Sequence, residues 1–278
     1  MSVRAGARRL WLAVALVPLA LPPHRLSAQA AAPEIVLSAS GGYTFSRPLW
    51  TLRQLVAVPV PGPLLLDTFL LARGLAPGWS AWVGITWYPR RIVGFGGEFG
   101  WVAAQARSNC AFQGTPHPID TYQQNAQVCG GIALDRMLRT SAIALLGTAT
   151  LRAGPRHDVS PFVKAGVGLT LLGQSYIDAR AAAAGAYNIS RVRIILLGPP
   201  RLVTWAATLA AGLSFGGASA YRLRVEVRDF VLGIPVVTGP AAPLAENPVP
   251  PNRTRAIHRF TLAIGLDLVL GGPRRRRY

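Results

Sequence analysis

WSAWVGITWYPRRIVGFGGEFGWVAAQ, residues 79–105, is the stretch whose reading decides the fold. Taken in alternate residues, Trp79, Ala81, Val83, Ile85 and Trp87 form one set, and Ser80, Trp82, Gly84, Thr86 and Tyr88 the other. After Pro89-Arg90-Arg91 the alternation resumes. Val93, Phe95, Gly97, Phe99, Trp101 and Ala103 now oppose Gly94, Gly96, Glu98, Gly100 and Val102. A period of two marks strands with two chemically different faces, and the short link suits a hairpin. Large apolar side chains, with tryptophans near the strand ends, dominate one face. Small residues and the Glu98 carboxylate mark the other. A soluble sandwich buries its bulky face and puts charge outside. A transmembrane β-barrel does the reverse, with apolar residues toward lipid and a polar interior.

The rest of the chain is consistent with a membrane barrel. Hydrophobic residues make up 51% of the sequence, charged residues 14%, and the mean hydropathy is +0.32. Past the N-terminus no apolar run reaches the roughly 18 residues of a membrane helix, which leaves the closed barrel as the apolar way across. Residues 1–30 read as a secretory signal peptide. Arg4, Arg8 and Arg9 precede the apolar run Leu10 to Leu21, and Ala28-Gln29-Ala30 is a small-x-small cleavage site. The formal net charge is +18; less the four arginines of 1–30 it is about +14, and without Arg274 to Arg277 about +10. Basic residues interleaved with stacking aromatics are not evident, so the excess is read as contact with anionic lipid head groups or as solvated loops, not nucleic acid.

The two cysteines, Cys110 and Cys129, share a polar segment after the 79–105 hairpin. On an oxidising export route a disulfide is the expectation. Two cysteines do not make a structural zinc site of the usual kind, and no metal or cofactor is expected.

In chain order, alternation predicts a first strand over residues 35–45, then the hairpin, then strands over 139–152, 161–172, 201–215, 221–232 and 258–270. Between them, residues 47–78 read as a long proline-containing loop. Leu64 to Leu71 within it is a short helix or strand at the rim, or a lid. The polar segment to Met137 reads as a loop, 173–200 as a long connection whose Ala-rich part could turn helically, and 235–251 as a proline-rich loop. Short turns fall at 154–158 and 216–219. About eight strands with alternating short and long connections resemble the small eight-stranded OmpA/OmpX-like outer-membrane β-barrel family. The resemblance covers residues 34–271, and the strand Phe260-Thr-Leu-Ala-Ile-Gly-Leu-Asp-Leu268 is similar to the C-terminal signal read by outer-membrane assembly machinery. It implies an all-β, antiparallel up-and-down barrel with short periplasmic turns and long extracellular loops. The expected domains are a signal peptide at 1–30, a barrel at 31–271 and a basic tail at 272–278. Outer-membrane lipids and the assembly machinery are the implied partners, and the loops are available to an extracellular or envelope partner.

Parity then sorts the candidate functional residues. Glu98, Lys164, Arg222, Arg224, Glu226, Arg228 and Asp267 fall on the lumen side. Charges in a narrow interior must pair or be hydrated, so these are read as a salt-bridged plug, with a gated ion path as the alternative. Asp267 is expected to pair with Arg224 or Arg222. Glu98 is expected to reach Lys164 or an arginine across the lumen, so that its removal strands a cation and makes the barrel leakier. The outward aromatics Tyr43, Phe45, Trp79, Trp87, Trp101, Trp205, Phe215, Tyr221 and Phe260 are expected at the lipid interfaces. Support for catalysis is thin. Of the four histidines, His24 leaves with the signal and His117 and His157 fall in connections. His258 and Asp229 share outward parity near one rim, a pairing that would suit a lipid-modifying enzyme. No serine can be assigned beside them, and Ser46 has lumen parity, so a surface pair is the plainer reading. The expected function is a non-catalytic barrel with exposed loops. A small pore or ligand transporter is one alternative, and a lipid-modifying enzyme another.

Overall fold

The computed structural model describes residues 33–58, 65–90, 92–103, 105–114, 119–134, 141–153, 159–173, 177–184, 189–197, 201–216, 220–240 and 250–270, all within the compact unit Ala32–Tyr278. The expected signal peptide at 1–30, the expected turns at 154–158 and 216–219 (except Gly216), the expected tail at 272–278, His117 and His157 lie outside the described residues.

The elements run β1 (Glu34–Thr44), β2 (Arg47–Val58), β3 (Leu65–Leu75), β4 (Gly78–Tyr88), β5 (Val93–Ala103), β6 (Ala106–Gln113), α1 (Ile119–Leu134), β7 (Ser141–Arg152), β8 (Val159–Gly173), β9 (Ile177–Ala184), β10 (Ile189–Leu197), β11 (Arg201–Phe215), β12 (Tyr221–Val237) and β13 (Asn252–Leu270). Eight of them close into a barrel in the order β1-β13-β12-β11-β8-β7-β5-β4. Every ladder is antiparallel, and each barrel strand neighbours the next barrel strand in the chain. All eight strands expected from the alternation are present.

Burial confirms which way the faces point. Along β8, Val167 is 71% and Leu169 61% exposed, while Lys164 between β7 and β11 is 3% exposed; Glu98 on β5 is 2% exposed. A sheet that hides its charges and displays Val, Leu, Ile and Phe belongs in a solvent that is itself apolar. Outward aromatics gather toward the strand ends. Tyr43 packs edge-on against both Phe45 and Trp79, at 5.6 and 5.7 Å between ring centroids. Trp101, Trp205 and Phe260 lie toward the same end; Trp87 and Tyr221 lie exposed at the opposite end, with Phe215 half-buried.

At one end the connections are short. At the other, the segments expected as loops are folded. β2, β3 and β6 form a three-stranded sheet, and β9 pairs with β10. These correct the loop reading, and each was hidden for a physical reason. β2 does alternate, burying Trp50, Leu52, Gln54 and Val56, but it carries a register shift between Pro48 and Trp50 and a polar residue in its buried set. β3 buries Asp67, Phe69, Leu71 and Leu75 while its other face carries Leu66, Leu70 and Ala72, so both faces look apolar. The Ala-rich β9 is a strand, not a helix, because pairing with β10 overrides alanine's helix preference. In α1, Asn125, Cys129 and Ile132 are buried at helical spacing, but the first of these is polar and disguises the stripe. The expected 235–251 loop is shorter. β12 runs on to Val237 against β13, which starts at Asn252. Past Leu232, β12 has lost β11 as a partner, and an edge strand tolerates Pro235.

Among the described residues two apolar cores result. One lies in the folded head and joins Trp50, Leu52, Val56, Phe69 and Leu71 to Cys129, Ile132, Ile194, Ile195 and Val236. The other fills the lumen next to the head with Trp82, Val102, Leu146, Leu172, Phe230, Leu232 and their neighbours. Leu49 and Ile257 pack against both.

Candidate functional site: the lumen charge network and the head

Alternation carries seven charged side chains of the expected set into the lumen, in the half nearer the short turns. The network begins at Glu98. Its carboxylate accepts a hydrogen bond from Lys164 Nζ at 3.0 Å and two from the Arg228 guanidinium, Nη1 at 2.7 Å and Nη2 at 2.9 Å. Arg228 donates onward to Glu226 Oε1, through Nη2 at 2.7 Å and Nε at 3.2 Å. Its planar fork therefore serves two carboxylates at once, which a lysine's point charge does not do. Arg224 lies between Glu226 and Asp267, with ion-pair distances of 3.4 and 3.2 Å. Arg222 turns to the mouth and donates to Glu34 Oε1 at 3.0 Å. Of the two partners expected for Asp267, Arg224 makes the ion pair.

Sequence reading missed four participants. Glu34 and Arg152 close the network at the short-turn mouth, Arg152 donating from Nη1 and Nη2 at 3.0 and 2.7 Å. Both sit at strand ends, where alternation is hardest to follow. Arg228 lies 4.1 Å over the face of Trp82, which a small-residue face was not expected to supply. Arg259 is 1% exposed and donates to the carbonyls of Ala76 and Ala103 at 3.0 and 3.3 Å. Its odd number in β13, shared with Asp267, was the available signal. It ties the rim of β13 to β5 and to the segment entering β4.

The cysteines are joined as expected. Cys110 of β6 and Cys129 of α1 form a disulfide with a Cα–Cα distance of 5.1 Å, pinning the helix to the head sheet. Beside it, buried Asn125 donates to Asp67 Oδ2 at 2.6 Å.

On the exterior, His258 Nδ1 and Asp229 Oδ2 do meet, at 2.7 Å. The ladder positions flanking them are Val231, Phe260 and Leu209, none of which carries a nucleophile. Ser46 is exposed just beyond β1. Among the described residues no cluster of His, Cys, Asp or Glu is arranged to hold a metal ion.

A closed eight-stranded antiparallel barrel with an apolar outside and a paired ionic inside defines a membrane-spanning class of protein. In overall shape the chain is similar to Neisserial surface protein A at 11% identity, covering 84% of this chain and 96% of that one with a TM-score of 0.40. It is also similar to the N-terminal β-barrel domain of Pseudomonas aeruginosa OprF, at 10% identity, 85% and 97% coverage and a TM-score of 0.33. Ail, the attachment invasion locus protein of Yersinia pestis, is similar at 12% identity, 85% and 99% coverage and a TM-score of 0.33. No protein-family model and no curated protein matches the chain.

Proposed function

We propose that the chain is a non-catalytic outer-membrane β-barrel whose lumen is closed and whose work is done by the head. Residues 1–30 direct export and are removed. The assembly machinery inserts the barrel, lipids of the outer membrane surround it, and the long-connection end faces outward, as short turns face the periplasm in this class. The head then stands outside the cell, where it contacts an extracellular or envelope partner that is neither nucleic acid nor a cofactor.

One observation carries this reading: two different layers obstruct the lumen in series. The Glu98–Arg228–Glu226 cluster spans it, with side chains 0–2% exposed. Above it Trp82 and Phe230 pack edge to face at 5.1 Å among aliphatic neighbours. An ion would have to pass a paired ionic layer and then a dry apolar one. Barrels of about eight strands have interiors that side chains fill. Purified mature protein in a planar bilayer should give no steady conductance. Stable single-channel steps would replace this reading by the pore. Protease treatment of intact cells should clip the head and spare the barrel; a head protected until the cells are broken would reverse the orientation.

A further inference from the structure

The three-stranded head sheet turns one face, with Trp50, Phe69 and Leu71, into the head core and exposes long polar side chains on the other. Paired residues of an antiparallel ladder share a face. Thr51, Ala72 and Asn109 therefore form one row across β2, β3 and β6, and Arg53 and Arg107 stand in the rows on either side of it, on the two outer strands. Both arginines, Thr51 and Asn109 are exposed, while Ala72 and Gly74 on the middle strand are half-buried. The middle of the face is thus low, a shallow strip along the strands. It is about 10 Å wide from β2 to β6 and about 26 Å long from Leu66 to Gly74, at the usual strand spacing and rise. Among the described residues this face carries two arginines and no carboxylate. Arg47, Arg253 and Arg255, exposed elsewhere on the head side, give the field the same sign.

We propose that this face holds a linear anionic polysaccharide lying along the strands, which rests on the head being the working part of the protein and names the class of its partner. The charge on the face calls for an anion, and two separate guanidinium forks take acid groups spaced along a chain. The Thr51 hydroxyl is placed between them for a sugar hydroxyl. Shape favours a chain over a protein surface. A protein partner of standard size covers about 800 Å² on each side, and a strip of about 10 by 26 Å is far smaller. Protein contacts also concentrate on aromatic anchors in well-packed pockets. Here Leu66, 38% exposed, is the one large apolar side chain that the face displays among the described residues. The same lack of aromatics leaves nucleic-acid bases nothing to stack on. A second copy of the face would set arginine against arginine.

The test is a titration of the full mature chain, in uncharged maltoside micelles at constant ionic strength, with polygalacturonate, which has a carboxylate on each sugar, and with dextran sulfate. At least one should bind saturably. Arg53→Gln/Arg107→Gln and Ala72→Glu should each weaken it by about tenfold or more, the scale of lost charge-assisted hydrogen bonds. Arg90→Gln, which removes an exposed arginine at the short-turn end, should change nothing. Binding of neither probe overturns the proposal. So does an equal affinity for uncharged dextran or poly-L-glutamate, or an equal loss in Arg90→Gln. If a variant does not fold, the arginine Nε–H signals of the wild type in nitrogen-15 spectra decide. The bound probe should move Arg53 and Arg107 and leave the buried Arg228 in place, and no movement at Arg53 overturns the site. Protease treatment of intact cells tests the exposure of the head separately, so either reading can fail without the other.

Discussion

Arg228 Nη1 stands 2.7 Å from Glu98 Oε2, and the two residues are borne by strands at opposite positions of the eight-stranded ring, β12 and β5. This pair crosses the lumen, so each side of the barrel is neutralised by the other. Glu98 also holds Lys164, so Glu98→Ala leaves two buried cations short of a partner. Breaking a buried pair from one side costs about 3–5 kcal/mol. Urea unfolding in lipid vesicles should register that loss, with Glu98→Gln milder because it still accepts a hydrogen bond. An unchanged midpoint for Glu98→Ala would show the network to be ornamental.

The leak expected from sequence should not accompany that loss. Trp82, Leu146, Phe230 and their neighbours stand between the ionic cluster and the head and pack on one another, and Arg228, which lies over Trp82, still keeps Glu226 when Glu98 is removed. Glu98→Ala in a planar bilayer should therefore remain non-conducting. A conductance that appears on this single substitution would mean the apolar layer is not a seal.

Outside, the cost of a charge should follow depth in the apolar band. Leu169→Arg places a cation on an outward position of β8 opposite Trp205, toward the head-side edge of the apolar band, and should cost less than the about 2–4 kcal/mol of a mid-membrane site. Its neighbour Gly168 lies on the lumen side, where a Cβ would run into the backbone carbonyl of Leu145. Gly168→Ser should therefore destabilise as well, through the β7–β8 ladder and not through lipid. Vesicle composition separates the two causes: thinner bilayers should relieve Leu169→Arg and leave Gly168→Ser unchanged.

The contrast between Leu169 and Gly168 also marks what sequence can convey. Alternation is a signal one strand long, so the eight barrel strands and the lumen parity of Glu98, Lys164 and Arg228 were legible. How closely two strands approach depends on the partner strand, here β7 at Leu145, and no pattern within β8 reports it. The head was illegible for a related reason. Its strands do not sort polar from apolar residues by face, as in β3, where the buried face holds Asp67 and the exposed one Leu66. Its helix announces itself only once Asn125 is known to bond Asp67.

The Cys110–Cys129 bond should stabilise the head and leave the barrel largely alone. A 19-residue separation corresponds to about 3 kcal/mol in the chain-entropy model. Thiol labelling of denatured, unreduced protein should find no free cysteine. Cys110→Ser/Cys129→Ser should speed proteolysis of α1 while the barrel keeps its folded gel mobility. Quantitative labelling of both cysteines in the exported protein would contradict the bond.

Asp229 and His258 serve as the test of the non-catalytic reading. They are 2.7 Å apart on the outer surface, but their ladder neighbours are apolar, and a dyad without a nucleophile lacks the group that would form a covalent intermediate. Mass spectra of outer-membrane lipids should be the same with wild type, His258→Ala and no protein. A lipid species that appears with wild type and vanishes with His258→Ala would make this an enzyme.

The last prediction concerns how tightly the lumen is filled. Gly100 lies directly opposite Trp82 in the β4–β5 ladder, and a Cβ there would overlap the indole ring. The ring has little freedom to move aside. Phe230 meets it edge-on at 5.1 Å, and Arg228 lies over its face at 4.1 Å, itself held by two carboxylates. A single methyl group at Gly100 must therefore displace the tryptophan, the phenylalanine and the ionic cluster together. Overpacking of this kind costs about 1–3 kcal/mol. Gly100→Ala should lower the urea midpoint and alter the near-ultraviolet dichroism of the buried indole. Trp82→Phe in the same chain should restore part of the loss by making room for the methyl, so the two substitutions should be clearly non-additive. Strict additivity would mean that Gly100 and Trp82 do not share a space and that the lumen is looser than the packing here requires.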